Sequence, residues 1–256
     1  MSKIREKDSY LLEHSLNVAI LLANFAIQLG LKDDVVQELA LSGFLHDIGK
    51  INIPDEILHK AMVELTDEEM DVMRKHVQFG VDVLVDMQIP SSIIRTISEH
   101  HERLDGAGYP KQLDDHEISD FGRMIAIADT YDAITAHRCY KAGMPSKKAL
   151  QILIKDSPHK YDQKLVMQFV KSVGIYPVGT LVKLNNEKIA MVLQQHPSES
   201  TKPKVKVFYS AKNQHYLPPV DIDLATQADG VKITESIIAS DYNLDFNKYF
   251  KESIAV

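Results

Sequence analysis

Five histidines and two aspartates, His14, His46, Asp47, His76, His100, His101 and Asp129, run through the first half of this 256-residue chain. Imidazole and carboxylate together make a ligand set for zinc, manganese or iron rather than for magnesium or calcium. A single histidine is ordinarily a packed or titrating side chain with no ligand role. The set differs because His46-Asp47 and His100-His101 lie in or close otherwise apolar stretches, residues 42–48 and 93–97 with His100. An unpaired polar group there costs about 1–3 kcal/mol. Seven donors exceed the needs of one ion once solvent takes positions, so two divalent metal ions are expected. The other six histidines, His59, His116, His137, His159, His196 and His215, stand in polar contexts and are read as ordinary side chains.

Asp47, with two oxygens, is the natural bridge between two metals. Ions about 3.5–4 Å apart can hold a hydroxide nucleophile and stabilise charge on a phosphoryl oxygen during in-line displacement. The expected reaction class is therefore phosphodiester or phosphate hydrolysis. On a helix ending near Gly49, Lys50 lies one turn beyond His46 and faces the same pocket, where it would neutralise substrate charge or help the leaving group. Asp132, one helical turn after Asp129, can hydrogen-bond a ligand histidine from behind. Arg138 and Lys141 follow as candidates for binding phosphate. The plain alternative for these two and for Lys50 is a solvated charge after a helix.

These residues need a scaffold, and the apolar spacing from Tyr10 to about Val173 predicts a bundle of seven or so helices. Leu11, Leu12, Val18, Leu21, Leu22 and Phe25 form one stripe, with Gly30 as its stop. A second helix is expected from Val35 to about Ile48, ended by Gly49, and a short one restarts at Ile53-Pro54-Asp55. Leu65-Thr66-Asp67-Glu68-Glu69 has the form of a capping box for a helix that carries His76 to about Met87. Pro90-Ser91 opens the helix that ends in His100-His101. Residues 102–120 read as a long loop with Arg103-Leu104-Asp105-Gly106-Ala107-Gly108-Tyr109-Pro110 at its heart, and a loop of that length is more often functional than idle. Helices resume over 121–136, 146–155 and 163–173. Beyond Pro177 the pattern alternates: residues 180–184 and 189–193 read as a hairpin around Asn185-Asn186, followed by a strand over 204–209 and a short terminal helix over 244–250. The expected architecture is mostly α, a helical domain over 1–175 followed by a small β-rich module over 176–256.

Composition narrows the setting. With 45% hydrophobic and 25% charged residues the chain reads as an ordinary soluble protein. The longest unbroken apolar run, residues 18–23, falls far short of the roughly 18 residues that span a bilayer, so no membrane segment is expected. The first eight residues hold no apolar signal core, and the single cysteine, Cys139, excludes an internal disulfide. Both point to the cytoplasm. A net charge of -7 argues against binding DNA or RNA polymers, which takes a basic face.

The strings HDIGK (46–50), IPDEIL (53–58), HHERLDGAGYP (100–110) and DTYDAIT (129–135) resemble the HD-GYP family, a branch of the HD-domain phosphohydrolases. Several long motifs occur in order over Tyr10 to about Gly174. The resemblance implies an all-helical HD domain that binds two or three metals, often iron or manganese, and hydrolyses the second messenger cyclic di-GMP to pGpG and, in some members, to GMP. It makes His14, His46, Asp47 and Asp129 ligands of one metal, with Asp47 bridging, and His76, His100 and His101 ligands of the other. Lys50 matches the family's catalytic lysine. Asp132, Arg138 and Lys141 match positions that contact substrate, and Gly108, Tyr109 and Pro110 form the loop used around the site and with signalling partners. Trinuclear members carry a glutamate where this chain has Tyr10, so two metals are expected. The family's Arg-Pro-Tyr is here Arg138-Cys139-Tyr140, a change in the turn that aims Arg138. Sensory domains commonly precede the catalytic part, and about nine residues precede the match here, as in a stand-alone enzyme or a trimmed chain. The β-rich module would then regulate or oligomerise, with a homodimer one form of this. Competing readings are a phosphodiesterase for the mixed cyclic GMP-AMP dinucleotide or a nucleotide phosphate, and a receptor that binds the dinucleotide without cleaving it.

Overall fold

A computed structural model describes residues 9–60, 64–136, 143–196, 199–226, 230–242 and 244. The chain divides into two compact units, residues 1–144 with 148–173, and residues 145–147 with 174–256.

The first unit is helical. Helix α1 (Ser9–Gln28) ends where Gly30 takes φ +70°, so that Gly30 N–H reaches Ile27 O and Leu31 N–H reaches Ala26 O, closing carbonyls that a helix end leaves open. Its Leu11–Gln28 stretch is long and apolar enough to cross a bilayer by length and composition, a match that counting unbroken apolar runs misses. Its apolar side is core: Val18, Leu22, Phe25 and Ala26 are fully buried with Leu39, Ile125, Leu153 and Phe169. Those partners come from α2 (Asp33–Leu45), α7 (Asp120–Thr135), α8 (Ser146–Asp156) and α9 (Gln163–Val173).

Between these lie α3 (Asp55–Leu58), α4 (Asp67–Arg74), α5 (His76–Asp86) and α6 (Ser91–Ser98). Thr66 and Glu69 form the expected capping box, Glu69 N–H to Thr66 Oγ1 at 3.3 Å and Thr66 N–H to Glu69 Oε2 at 3.1 Å. Three helices are shorter than the apolar pattern predicts. Helix α2 stops at Leu45 and a 3-10 turn follows over Ile48–Asn52, rather than one helix to 48. A Cβ on Gly49 would collide with the backbone of His76 and Gly80, so this glycine serves a close approach to α5 more than a helix stop. The predicted helix to Met87 is divided at Lys75, and α6 ends before His100-His101 instead of containing them.

The second unit is a five-stranded antiparallel sheet in the order β4-β3-β2-β1-β5. Its strands are β1 (Leu181–Leu184), β2 (Lys188–Gln194), β3 (Lys204–Ser210), β4 (His215–Asp223) and β5 (Ile233–Ser236). Val182, Leu184, Ala190, Val192, Val205 and Val207 pack with Tyr176 and Leu224 on one face, while Leu181, Ile189, Met191 and Phe208 pack with Leu244 on the other. Strands β4 and β5 escape the alternation pattern. Both are edges, and β4 contains Pro218-Pro219, residues an interior strand would not accept. The predicted helix over 244–250 falls, past Leu244, outside the described residues.

Candidate metal centre

Each short helix delivers its histidine in the same way. His46 caps α2, His76 begins α5 and His100 follows α6 by two residues. In all three, Nδ1–H donates to the carbonyl three residues back: Gly43 O at 2.7 Å, Met73 O at 2.7 Å and Ile97 O at 2.6 Å. His14, on α1, donates from Nδ1 to Asp132 Oδ2 at 2.6 Å. A ring nitrogen committed outward in this way turns the other nitrogen and its lone pair inward, the usual support of a metal-ligating imidazole.

The inward atoms meet in three overlapping groups, His14/His46/Asp129, His46/Asp47/His100 and His76/His100/His101, each with donor atoms within 4.8 Å of one another. Asp47 faces both sides, Oδ2 to His46 Nε2 at 3.3 Å and Oδ1 to His76 Nε2 at 3.5 Å. Asp129 also spans, Oδ1 to His14 Nε2 at 3.1 Å and Oδ2 to His101 Nδ1 at 3.6 Å. The sequence singled out only Asp47 as a bridge, whereas both carboxylates have bridging geometry. Lys50, on the 3-10 turn, places Nζ 2.6 Å from Asp47 Oδ2.

Charge divides the cluster. Burial opposes protonation of His46, but Asp47 and Asp129 outweigh it and raise its pKa to about 10. His14 is raised in the same way by Asp129 and Asp132 against burial. Burial with the adjacent Lys50 and His46 takes His76 down to about 4, despite Asp47, and burial with His46 and His76 takes His100 down to about 3. Burial and His100 hold His101 well below its usual value. Asp47 and Asp129 stay ionised despite burial, held down chiefly by Lys50 and His46, and by His14 and His46, respectively.

This arrangement wants a cation. His76 Nε2 and His100 Nε2 face each other at 3.4 Å, two buried lone pairs on neutral rings. Asp47 Oδ1 is buried with no hydrogen-bond partner. Each such orphan costs about 1–3 kcal/mol unless something satisfies it. Divalent ions among these atoms would satisfy all of them at once, so the residues present fit a two-metal site of nitrogen and carboxylate donors.

The loop after His101 closes one side. Tyr109 tilts over His101 with ring centroids 4.5 Å apart and stands edge-on to His76 at 6.3 Å. Its N–H donates to His101 O at 3.2 Å. Gly108 is required because a Cβ there would sit 2.5 Å from the Glu102 Cα, while Pro110 faces outward. Two buried acids that the motif reading left without a role organise this loop. Glu102 accepts Lys111 N–H at 2.7 Å and Leu113 N–H at 3.0 Å. Glu99 accepts Arg95 Nε–H at 2.8 Å, Ser119 N–H at 2.9 Å and the Ser119 hydroxyl. An acid beside each histidine of the 100–101 pair was the available signal. Arg138 and Lys141 lie outside the described residues.

Comparison with known proteins agrees with this geometry. A family profile described as HD domain matches residues 2–165, and one described as KOW domain associated with HD domain matches residues 181–242. The chain is 41% identical over 232 residues to the cyclic di-GMP phosphodiesterase PA4108 of Pseudomonas aeruginosa, covering 90% of this chain and 56% of that protein. It is 31% identical over 205 residues to the cyclic di-GMP phosphodiesterase PdeB of Borreliella burgdorferi, covering 80% and 53%. The chain thus spans about half the length of these relatives. Among solved structures, Bd1817, an HDG"Y"P protein from Bdellovibrio bacteriovorus, shares the fold with a TM-score of 0.53 at 23% identity, covering 62% of this chain and 51% of that one.

Proposed function

The chain belongs to the HD-domain phosphohydrolases and is related to the HD-GYP cyclic di-GMP phosphodiesterases, and on that premise we propose that it hydrolyses cyclic di-GMP to pGpG, with GMP as a further product. The observation that carries the reading is the cluster itself: seven nitrogen and carboxylate side chains converge, with Asp47 Oδ1 buried and unsatisfied among them. His14, His46, Asp47 and Asp129 would hold one divalent ion, and His76, His100 and His101 with the far oxygens of Asp47 and Asp129 the other. Iron is the preferred metal of this reading and manganese the alternative. Bound ions supply a water nucleophile at neutral pH and neutralise charge on the phosphoryl oxygens.

The chain's own residues do the rest. Asp132 holds the His14 ring with its Nε2 toward the site. Lys50 Nζ, 2.6 Å from Asp47 Oδ2, would neutralise a phosphoryl oxygen bound there or give a proton to the departing alkoxide. Tyr109 covers His101 and limits water on that side. The outward Pro110 end of the loop is where a signalling partner would meet the enzyme. The cytoplasm is its proposed location, on the single cysteine and ordinary soluble composition.

The test is turnover of cyclic di-GMP by protein of measured metal content, prepared anaerobically with Fe(II) or Mn(II). Turnover near two metals per chain, lost in His46→Ala/Asp47→Ala, supports the reading. Cleavage of the mixed cyclic GMP-AMP dinucleotide alone would move the substrate, and tight binding without cleavage at full metal loading would make the protein a receptor.

A further inference from the structure

The cluster accounts for one phosphodiester, yet a cyclic dinucleotide carries a second phosphodiester across its ring. The first is matched by the metal ligands and Lys50. The cations expected for further phosphate contacts, Arg138 and Lys141, are outside the described residues, and the described surface around the cluster offers guanidinium groups of its own.

Two arginines flank the loop that carries Tyr109, one at its ring and one at its base. Arg74, the last residue of α4, holds its guanidinium 5.7 Å from the Tyr109 ring centroid. Tyr109 in turn lies 4.5 Å from His101, and His101 lies 3.9 Å from His100. These four side chains form a ladder of flat groups from the surface to the buried ligands. Arg74 is at its outer end, half exposed, and among the described residues its ion-pair partner is the solvent-exposed Asp71, at 3.0 Å. Such an exposed pair contributes little and leaves the guanidinium available.

Arg103 is the second. Its guanidinium lies 5.1 Å from the Tyr161 ring centroid and donates to two backbone carbonyls, Glu102 O at 2.8 Å and His100 O at 3.3 Å. No carboxylate among the described residues makes an ion pair with it, although it is partly buried. Arg103 also reaches Thr130 Oγ1 at 3.5 Å, so its described partners are carbonyls, a hydroxyl and a ring face, none of which neutralises its charge, and its planar donor fork suits a phosphate oxygen. The Arg103 guanidinium reaches His100 O, and a Cβ on Gly108 would sit 2.5 Å from Arg103 N, so Arg103 stands at the base of the loop that carries Tyr109.

We infer that Arg74 and Arg103 bind the second, uncleaved phosphodiester of the dinucleotide, beside the Tyr109 roof. This rests on the cyclic dinucleotide reading above and adds to it two cations, neither of which holds metal. Arg74 and Arg103 would thereby favour a substrate with two phosphates over one with a single phosphodiester.

The experiment compares Arg74→Gln and Arg103→Gln with the unsubstituted, metal-loaded protein on two probes, cyclic di-GMP and the single phosphodiester bis(p-nitrophenyl) phosphate. A charge-assisted contact to phosphate lost from each should raise KM for cyclic di-GMP by at least about tenfold, with kcat within about threefold. The loss on the single phosphodiester should be at least about tenfold smaller, and metal content should be unaltered. Lys164→Gln, which removes a surface cation from α9, is the control for general charge. Arg74 is exposed at a helix end, so its variant keeps the test decisive even if Arg103→Gln fails to fold. Equal losses on both probes, or an unchanged KM for cyclic di-GMP in Arg74→Gln, would overturn the inference. An unsubstituted protein that cleaves the single phosphodiester but neither cleaves cyclic di-GMP nor is inhibited by it would instead remove the functional reading, and this inference with it.

Discussion

The two units bury opposite kinds of chemistry. In the helical unit His14, His46, Asp47, His76, Glu99, His100, Glu102, Asp129 and Asp132 are all at most 6% exposed. In the sheet unit the buried positions among the described residues are apolar or aromatic, with Ser210 the exception. Burying a charge without a partner costs several kcal/mol, so a fold tolerates it only where hydrogen bonds or ions compensate. The helical unit compensates with carbonyls three residues back, with Asp132 and with loop N–H groups, and it retains a centre that only cations satisfy. Among the described residues the sheet unit holds no such cluster of donors, and its one buried side-chain atom without a partner is the neutral Ser236 hydroxyl. The difference separates a unit shaped by chemistry from one shaped by packing.

The strongest way to break that contrast is His46→Ala/Asp47→Ala. It should remove bound metal and lower activity by more than the ~10–100-fold typical of losing an outer partner, with the sheet unit unaffected by circular dichroism. Metal retained at full stoichiometry would refute the assignment of the cluster. Leu184→Ala, in the sheet core, should do the converse, destabilising its unit by about 2–5 kcal/mol in chemical denaturation while metal content stays the same. Asp132→Asn is finer: the His14 ring loses its charged partner, and metal affinity should drop ~10–100-fold with the fold intact.

The smallest effect lies within the cluster. Without metal, His46 with its pKa near 10 holds a proton at pH 8, whereas His76 near 4 and His100 near 3 hold none. A pKa raised on folding adds stability below the unfolded value of about 6.5 and loses it as pH climbs through about 10. Metal affinity should therefore rise with pH across that window as the competing proton leaves. Calorimetric titration in buffers of different ionisation enthalpy should find about one or two protons released on loading at pH 8. Release of none would show that the two sides of the cluster do not differ in proton binding.

Helix identity was legible from apolar spacing, and α9 was predicted at its observed bounds. The lengths of α2 and α6 were not. Periodicity continues through His46 and His100, but what ends each helix is contact from elsewhere, such as the backbone of α5 against Gly49. Strands β4 and β5 were missed for the related reason that edge strands need not alternate. In the site, residue types announced the metal chemistry, while Glu99 and Glu102 looked like surface acids. Their burial comes from Ser119 and from the N–H groups of Lys111 and Leu113, brought back by a loop whose path local sequence does not encode.

By itself the sequence determined which imidazole and carboxylate side chains stand among apolar residues and their order along the chain, because residue type and neighbours are read directly from it. It also determined the helical first part and the change to alternation near Pro177, because periods of 3.6 and 2 are local properties. Only the tertiary structure decided that Asp129 faces both sides of the cluster as Asp47 does, that the two sides differ in charge, and that Arg74 stands over Tyr109. Those relations join residues tens of positions apart. Coulombic and hydrogen-bond energies depend on distance in space, which the chain acquires only by packing its helices together.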